Sequence, residues 1–296
     1  MYDAEAIVIG GGHNGLICAA YLAKAGVNTI LVEARDSVGG CASTVADLGA
    51  RFNICACDHS LIRAMPLIDE LNLSSHGLDY LEPEATYVNA FHENSGSWVF
   101  YHDSNQTIDG LSVTHPSEVE NYKRYLKDAL PVAELVIKIA QSGASLPEFL
   151  QATSRQKMKG VSKLLRWSKA SAVDVFKDYF DDWHLYMPGI STGPTVWGAP
   201  PEAPGTGLAA TVYATRHLIA SGRPRRGSGS LPDAILKSYL SNGGQVRLKS
   251  IVEKLQIENN KVKAVQLQDG SVIEAPTVIA ACDPHNVLVN WIDEAP

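Results

Sequence analysis

The chain has 296 residues, 45% hydrophobic and 19% charged, the profile of a globular protein with room for one large domain or two ordinary ones. A net charge of −7 argues against a general nucleic-acid binder, which needs a basic face, and no apolar run nears the roughly 20 residues that span a bilayer. Five scattered cysteines fit a reducing compartment better than a disulfide framework, and Asp3 and Glu5 stand where a signal peptide would be basic. The expected location is therefore the cytoplasm, or the mitochondrial matrix in a eukaryote.

Ala6 to Ile9 is a short apolar run, predicted as a buried parallel strand. From Asn14 to Lys24, Leu16, Ile17, Ala20 and Ala23 recur at helical spacing, and Gly26 stands at the C-cap. Thr29 to Val32 is a second apolar run. Strand, glycine turn, helix and strand within about 30 residues make a βαβ crossover. Gly10, Gly12 and Gly15 form G-x-G-x-x-G at the first strand-to-helix junction, with His13 and Asn14 between the last two. Gly10 suits the tight turn, Gly12 lets a pyrophosphate approach the backbone, and Gly15 lets helix and strand pack closely. Unpaired N–H groups at the helix start favour phosphate. Glu33 ends the second strand, where a carboxylate accepts hydrogen bonds from ribose hydroxyls. Together these predict a dinucleotide site.

Beyond Glu33, "EARDSVGGCAST" places Ala34 and Arg35, then Gly39, Gly40 and Cys41. Here the chain resembles the FAD-dependent oxidoreductases of glutathione-reductase type, in particular the branch holding amine oxidases, phytoene desaturases and carotenoid isomerases. It is most similar to the group of pyridine nucleotide-disulfide oxidoreductase domain-containing protein two and its bacterial phytoene-dehydrogenase-like relatives, on "GGGHNGL" and "GGCA". The resemblance implies FAD as cofactor, and an α/β fold: a glutathione-reductase-type FAD-binding Rossmann domain with an inserted α+β substrate domain. It also implies that Gly39-Gly40 lies against the diphosphate and flavin edge. Arg35 is open between a cofactor contact and a solvated charge. A redox cysteine pair would need a second cysteine where Ala46 stands, so thiol–disulfide exchange is not expected. Cys55 and Cys57 match no thioredoxin or zinc pattern and are expected as buried small hydrophobes. His59 is expected as a structural histidine, with a place near the flavin as the alternative.

Residues 1–75 and 226–296 are expected to form the FAD-binding domain, with 76–225 as the substrate or cap domain between them. In that middle part, "ATYVNAF" and "SWVFYHD" are strand candidates. "PSEVENYKRYLKDALPVAELVIKIA" predicts a helix with a Ser117–Glu120 capping box and a break or kink at Pro131. "RQKMKGVSKLLRWSKAS", with Lys157, Lys159, Lys163, Arg166 and Lys169, predicts a solvated helix face, with peripheral membrane contact as the alternative. "DYFDDWHLYMPGI" supplies core aromatics. "GTGLAA" (205–210) has the letters of a second fingerprint, but the proline-rich segment before it is no central strand. It is expected as a loop, and no NAD(P)H domain is expected.

"GSGSLPDAI" (227–235) is similar to the family's glycine-rich stretch before a helix, except that Arg226 stands where the family usually has glycine. Strands are predicted at Val246–Lys249, Ile251–Ile257, Val262–Leu267 and Thr277–Ala281, the last as a buried strand. Asn259-Asn260 turns the chain between the second and third, and Asp269-Gly270 is a hairpin signal. By the resemblance, Val252 presents its backbone to the adenine. The resemblance also implies a further glycine-rich segment closing the flavin site, which this sequence lacks. A fragment, a second chain that completes the fold, and a decayed reading frame are the three explanations, with the fragment preferred.

The expected function is an FAD-dependent oxidoreductase. It would remove a hydride from a hydrophobic small molecule, or isomerise one, and pass electrons to an external acceptor such as oxygen or a quinone. The alternatives are a truncated, non-catalytic FAD- or partner-binding protein and an NAD-dependent dehydrogenase. No metal site is expected, and no catalytic residue is assigned.

Overall fold

Ala6–Ile9 (β1) is buried at every position, and so is Thr29–Val32 (β2). Between them runs His13–Lys24 (α1). The computed structural model describes residues 2–92, 96–141, 160–220 and 222–292. These divide into two compact units. Unit 1 comprises Met1–His59, Pro66–Leu81 and Arg223–Pro296, and unit 2 comprises Ser60–Met65 and Glu82–Gly222. The division falls somewhat later than 75/76 and somewhat earlier than 225/226. Tyr80–Leu81 pairs antiparallel with Arg223–Pro224 and so closes unit 1.

Unit 1 is built on a parallel sheet in the order Val278–Ala280, β1, β2, Gln245–Arg247. Alternation along the strands sends Ile7, Ile9, Ile30 and Val32 to one face. There they share a core with Val252, Leu255, Val265, Leu267 and Ile273 of an antiparallel meander, Val252–Glu258, Lys261–Leu267 and Val272–Glu274. Val8 and Leu31 point the other way and are equally buried, which is why the sequence of these strands runs apolar without alternating. Each fully buried Ile, Leu or Val contributes roughly 1.5–3 kcal/mol. α1 packs against the helix Ser230–Ser241, whose Tyr239 hydroxyl lies 2.8 Å from the carbonyls of both Thr29 and Gln245.

Asn259 and Asn260 both adopt positive φ, 52° and 57°, the geometry of the tight two-residue turn their identity predicted. At the other hairpin the Asp269 carboxylate accepts from the Ser271 N–H and hydroxyl. One expectation fails. Val278–Ala280 is not buried but half-buried to exposed, because it is the edge of the described sheet and is paired on one side only.

Unit 2 combines a hairpin, Ala85–Asn89 with Trp98–Tyr101, with helices. The principal ones are Ser104–Thr114, Val119–Gln141, Val161–Trp167, Ala172–Lys177, Trp183–Thr192 and Val212–Leu218. Its core is dominated by large rings: Trp98, Phe100, Tyr122, Tyr125, Trp167, Phe176, Phe180 and Tyr213. The tyrosine hydroxyls are not stranded. Tyr125 donates to the Ala210 carbonyl at 2.6 Å, Tyr213 to that of Leu185 at 2.7 Å, and Tyr122 meets His217 Nε2 at 2.8 Å. Burial pushes the ionisation of all three upward, which keeps them neutral donors.

Three local expectations are corrected here. The Ser117–Glu120 capping box does not form, because Pro116–Glu118 makes a 3-10 turn with proline at its start and runs straight into the helix. Pro131 does not break that helix, which is continuous over Val119–Gln141. "GTGLAA" is no open loop: Gly207–Thr211 is a 3-10 turn, and the element before it is another 3-10 turn, Pro194–Trp197, not a strand. Lys157 and Lys159 lie outside the described residues. Of the remaining basic stretch, Lys163 pairs with Asp128 at 2.7 Å and Arg166 pairs with Asp178, while Leu164 and Trp167 enter the core. Among the described residues no helix is long and apolar enough to cross a membrane.

Candidate functional site

The glycine turn lies between β1 and α1, and its three glycines differ in what surrounds them. Gly10 has φ +104°, and a Cβ on it would fall 2.6 Å from the Ala281 carbonyl oxygen. A Cβ on Gly15 would fall 2.0 Å from the Gly10 carbonyl oxygen. Both are therefore required by the packing of the chain itself. Gly12 is not: among the described residues, the only atom within 4 Å of its notional Cβ is the Gly40 Cα, at 3.9 Å. It is also the N-cap of α1, with extended backbone, no capping side chain and no acid in the first turn. The first-turn amides of a helix have no partner within it. Open space, bare amides and the positive end of the helix thus coincide at Gly12, an arrangement that suits a phosphate. His13 is half-buried and Asn14 exposed in this turn.

Glu33 is nearly buried and held at both oxygens. Oε2 accepts the Gly11 N–H at 2.6 Å and Oε1 accepts the Arg35 N–H at 2.9 Å. A carboxylate has about four lone-pair sites, so two remain beyond these two donors. Sequence reasoning marked Glu33 but missed Gly11. A Cβ on Gly11 would meet Oε2 at 2.9 Å, so the middle glycine of the run serves the acid, a role no fingerprint spacing announces.

The Gly-Gly pair comes back to this turn. Gly39 N–H donates to the Gly11 carbonyl at 2.8 Å, Gly12 and Gly39 form a parallel bridge, and a Cβ on Gly40 would lie 3.0 Å from the Gly12 Cα. Arg35 donates to the Gly40 carbonyl at 3.3 Å and the Ser43 hydroxyl at 3.2 Å, and lies 3.9 Å from Glu33. It therefore acts as a clamp on the pair. Ala34 and Cys41 are exposed beside it. Val252 is buried in the meander core. It is led there by a stretch that follows Glu33 closely, with Ser250 N–H donating to the Glu33 carbonyl and Lys249 N–H to that of Arg35.

His59 is buried, with Nδ1 3.0 Å from the Tyr80 hydroxyl. Its Nε2 is buried without a hydrogen-bond partner among the described residues. Burial pushes its pKa below the ordinary histidine value, and the nearby His13 acts in the same direction. All five cysteines are free, and Cys55 and Cys57 are exposed. This corrects the expectation that they fill a core: they sit outside regular structure just after the Ala50–Asn53 strand. The "GSGS" stretch lies against the Thr44–Asn53 hairpin, where Gly229 N–H donates to Thr44 Oγ1 and Ser228 N–H to Asn53 Oδ1. Arg226 just before it has φ +75°, a conformation that suits the glycine usual in the family.

A parallel sheet, a glycine turn feeding a helix, an acid at the end of the next strand and an antiparallel meander define a dinucleotide-binding fold of the flavoprotein kind. The chain belongs to the flavin containing amine oxidoreductase family, whose pattern matches residues 15–293. FAD is the cofactor that family membership implies, and the residues around Gly12 and Glu33 fit its diphosphate and ribose. Among curated relatives, the chain is 23% identical to a limonene dehydrogenase component of Castellaniella defragrans, covering 99% of this chain and 54% of the relative. It is 26% identical to the rat pyridine nucleotide-disulfide oxidoreductase domain-containing protein 2, covering 96% and 54%. It is 29% identical to the lycopene-forming phytoene desaturase of Pantoea ananas, covering 98% and 58%. The chain thus spans little more than half the length of these relatives. The fold is shared with a crystallised oxidoreductase of Methanosarcina mazei, at TM-score 0.62 and 16% identity over 97% of this chain and 60% of that one.

Proposed function

We propose that this chain carries the FAD-binding part of an oxidoreductase that removes a hydride from a C–C or C–N bond of a hydrophobic small molecule, or isomerises such a molecule, with oxygen or a quinone as external electron acceptor. The observation that carries the proposal is the open cradle at Gly12, which nothing in the protein's own packing explains. The names of the relatives support the substrate class: phytoene desaturase and limonene dehydrogenase both act on hydrocarbons.

In this reading the His13, Asn14 and Gly15 amides meet the diphosphate, and Glu33, oriented by Gly11 and Arg35, accepts from the adenosine ribose. Val252 borders the adenine. Arg35 keeps Gly40 against Gly12, so that two backbones without Cβ atoms flank the same space. FAD, when bound, supplies the hydride acceptor; the protein supplies binding and orientation.

The test is reconstitution of the purified chain with FAD, followed by flavin absorbance per chain and by turnover with an artificial electron acceptor. The expected result is one flavin per chain for the wild type and none for Gly12→Val. A folded wild type that takes up no FAD contradicts the proposal, and flavin uptake without turnover leaves this chain a binding role only.

A further inference from the structure

We propose that His115, Asp182 and His184 form a binding site for one divalent cation of the zinc class, which ties two segments of unit 2 together. One atom from each residue lies within 4.8 Å of the other two. His115 follows the helix Ser104–Thr114 as its C-cap, and Asp182 is the N-cap of Trp183–Thr192. The site therefore joins the end of one helix to the start of another.

The hydrogen bonds fix where the lone pairs point. His115 Nδ1 lies 2.9 Å from Thr114 Oγ1. That hydroxyl spends its own proton on the Gly110 carbonyl, so His115 Nδ1 is the donor and Nε2 is left bare. Nε2 is buried without a partner among the described residues, on a side chain that is 4% exposed, and faces Asp182 Oδ2 at 4.0 Å. Asp182 Oδ1 is already engaged, by the His184 N–H at 2.9 Å and by His184 Nδ1 at 2.6 Å. That leaves Oδ2 as the free acceptor. His184 Nδ1 shares a proton with Oδ1 at that distance, and a cation held by the three residues takes the place of that proton. The bare His115 Nε2, the free Asp182 Oδ2 and the His184 Nδ1 beside Asp182 thus gather in one place.

Unsatisfied acceptors facing one another cost free energy, and a cation satisfies them together. Two imidazoles and one carboxylate are a common zinc ligand set, with bonds of about 2.0–2.2 Å and a fourth position for water. The buried Glu118 stands behind the set: its Oε1 accepts the Asp182 N–H at 3.1 Å and its Oε2 accepts from Asn121. It orients Asp182 and adds a second negative charge near a dication, as outer-shell carboxylates do. The site is independent of flavin binding.

The experiment strips the full chain with a chelator and titrates it with Zn2+ by calorimetry, then with Co2+ by absorbance. The expected result is one Zn2+ per chain with a raised melting temperature. Binding should weaken at least about tenfold in Asp182→Asn, which keeps a good N-cap residue, and in His115→Gln. Three results would overturn the proposal: no stoichiometric binding, binding in both variants as tight as in the wild type, or a thiolate charge-transfer band with Co2+, which would place the metal on the exposed cysteines. Should the variants fail to fold, histidine ring resonances of the wild type decide instead, and His115 and His184 signals unmoved by Zn2+ overturn the proposal.

Discussion

The two units use opposite means to hold their shape. Unit 1 is made of close backbone approaches: Gly10 on Ala281, Gly15 on Gly10, Gly11 on Glu33. Unit 2 is made of ring on ring, with Tyr125 within contact of Phe176, Tyr179, Phe180 and Tyr213. In the first a single added carbon matters more than hydrophobicity, and in the second large apolar volume is what counts. The difference shows where a binding site can be recognised by its glycines: in the turn between β1 and α1, Gly12 has open space while Gly10, Gly11 and Gly15 around it all have packing reasons.

Four perturbations sharpen that contrast. The largest expected effect is in unit 2. Trp167 is fully buried, and Trp167→Ala should lower unfolding free energy by about 3–5 kcal/mol, read from the denaturant midpoint. Next comes a matched pair in unit 1. Gly15→Ala forces a Cβ to 2.0 Å from a carbonyl oxygen and should cost about 1–3 kcal/mol. Gly12→Ala meets only one atom, at 3.9 Å, and should change stability by less than about 1 kcal/mol while reducing FAD uptake. If both variants lose stability equally, the distinction between packing glycines and a cofactor glycine is wrong.

A smaller effect of opposite sign is expected at Arg226, whose φ of +75° strains any residue with a Cβ by about 1–2 kcal/mol. Arg226→Gly should raise the melting temperature by an amount worth about 1 kcal/mol or less, since glycine also gains entropy in the unfolded chain. The smallest effect is pH dependence from the buried histidines. Burial pushes His59 in unit 1 and His217 in unit 2 below the ordinary value of 6.5. Each binds fewer protons folded than unfolded just below about pH 6.5, so stability should fall as pH drops from there towards the folded pKa. Denaturant midpoints measured between pH 7 and 5 check the sign, and a rise on acidification would contradict it.

Much of unit 1 was legible in the sequence because its signals are local. The apolar runs at Ala6–Ile9 and Thr29–Val32, the glycines between them and the Asn-Asn turn each dictate their own geometry. What escaped is non-local. Gly11 reaches Glu33 across the crossover, Arg35 clamps Gly40, and Thr44 receives Gly229 from the far end of the chain. In unit 2 the elements were partly legible and their reasons were not. The expected box at Ser117 was displaced because the chain enters the helix through a proline-led 3-10 turn. Pro131 stays within a helix whose buried face, from Tyr122 to Leu135, is held by the aromatic core. The histidines around Asp182 gave no motif, because His115 and His184 are brought together only by the fold.

The central claim, that the amides at the start of α1 bind the diphosphate of FAD, is tested most directly by hydrogen–deuterium exchange of the full chain with and without FAD. The Asn14 and Gly15 amides have no partner within the helix and should exchange faster in the free chain than those deeper in α1. The account predicts that FAD slows exchange in the Gly12–Gly15 turn, and does so in the wild type but not in Gly12→Val. Unchanged exchange there, with flavin demonstrably bound, would contradict it.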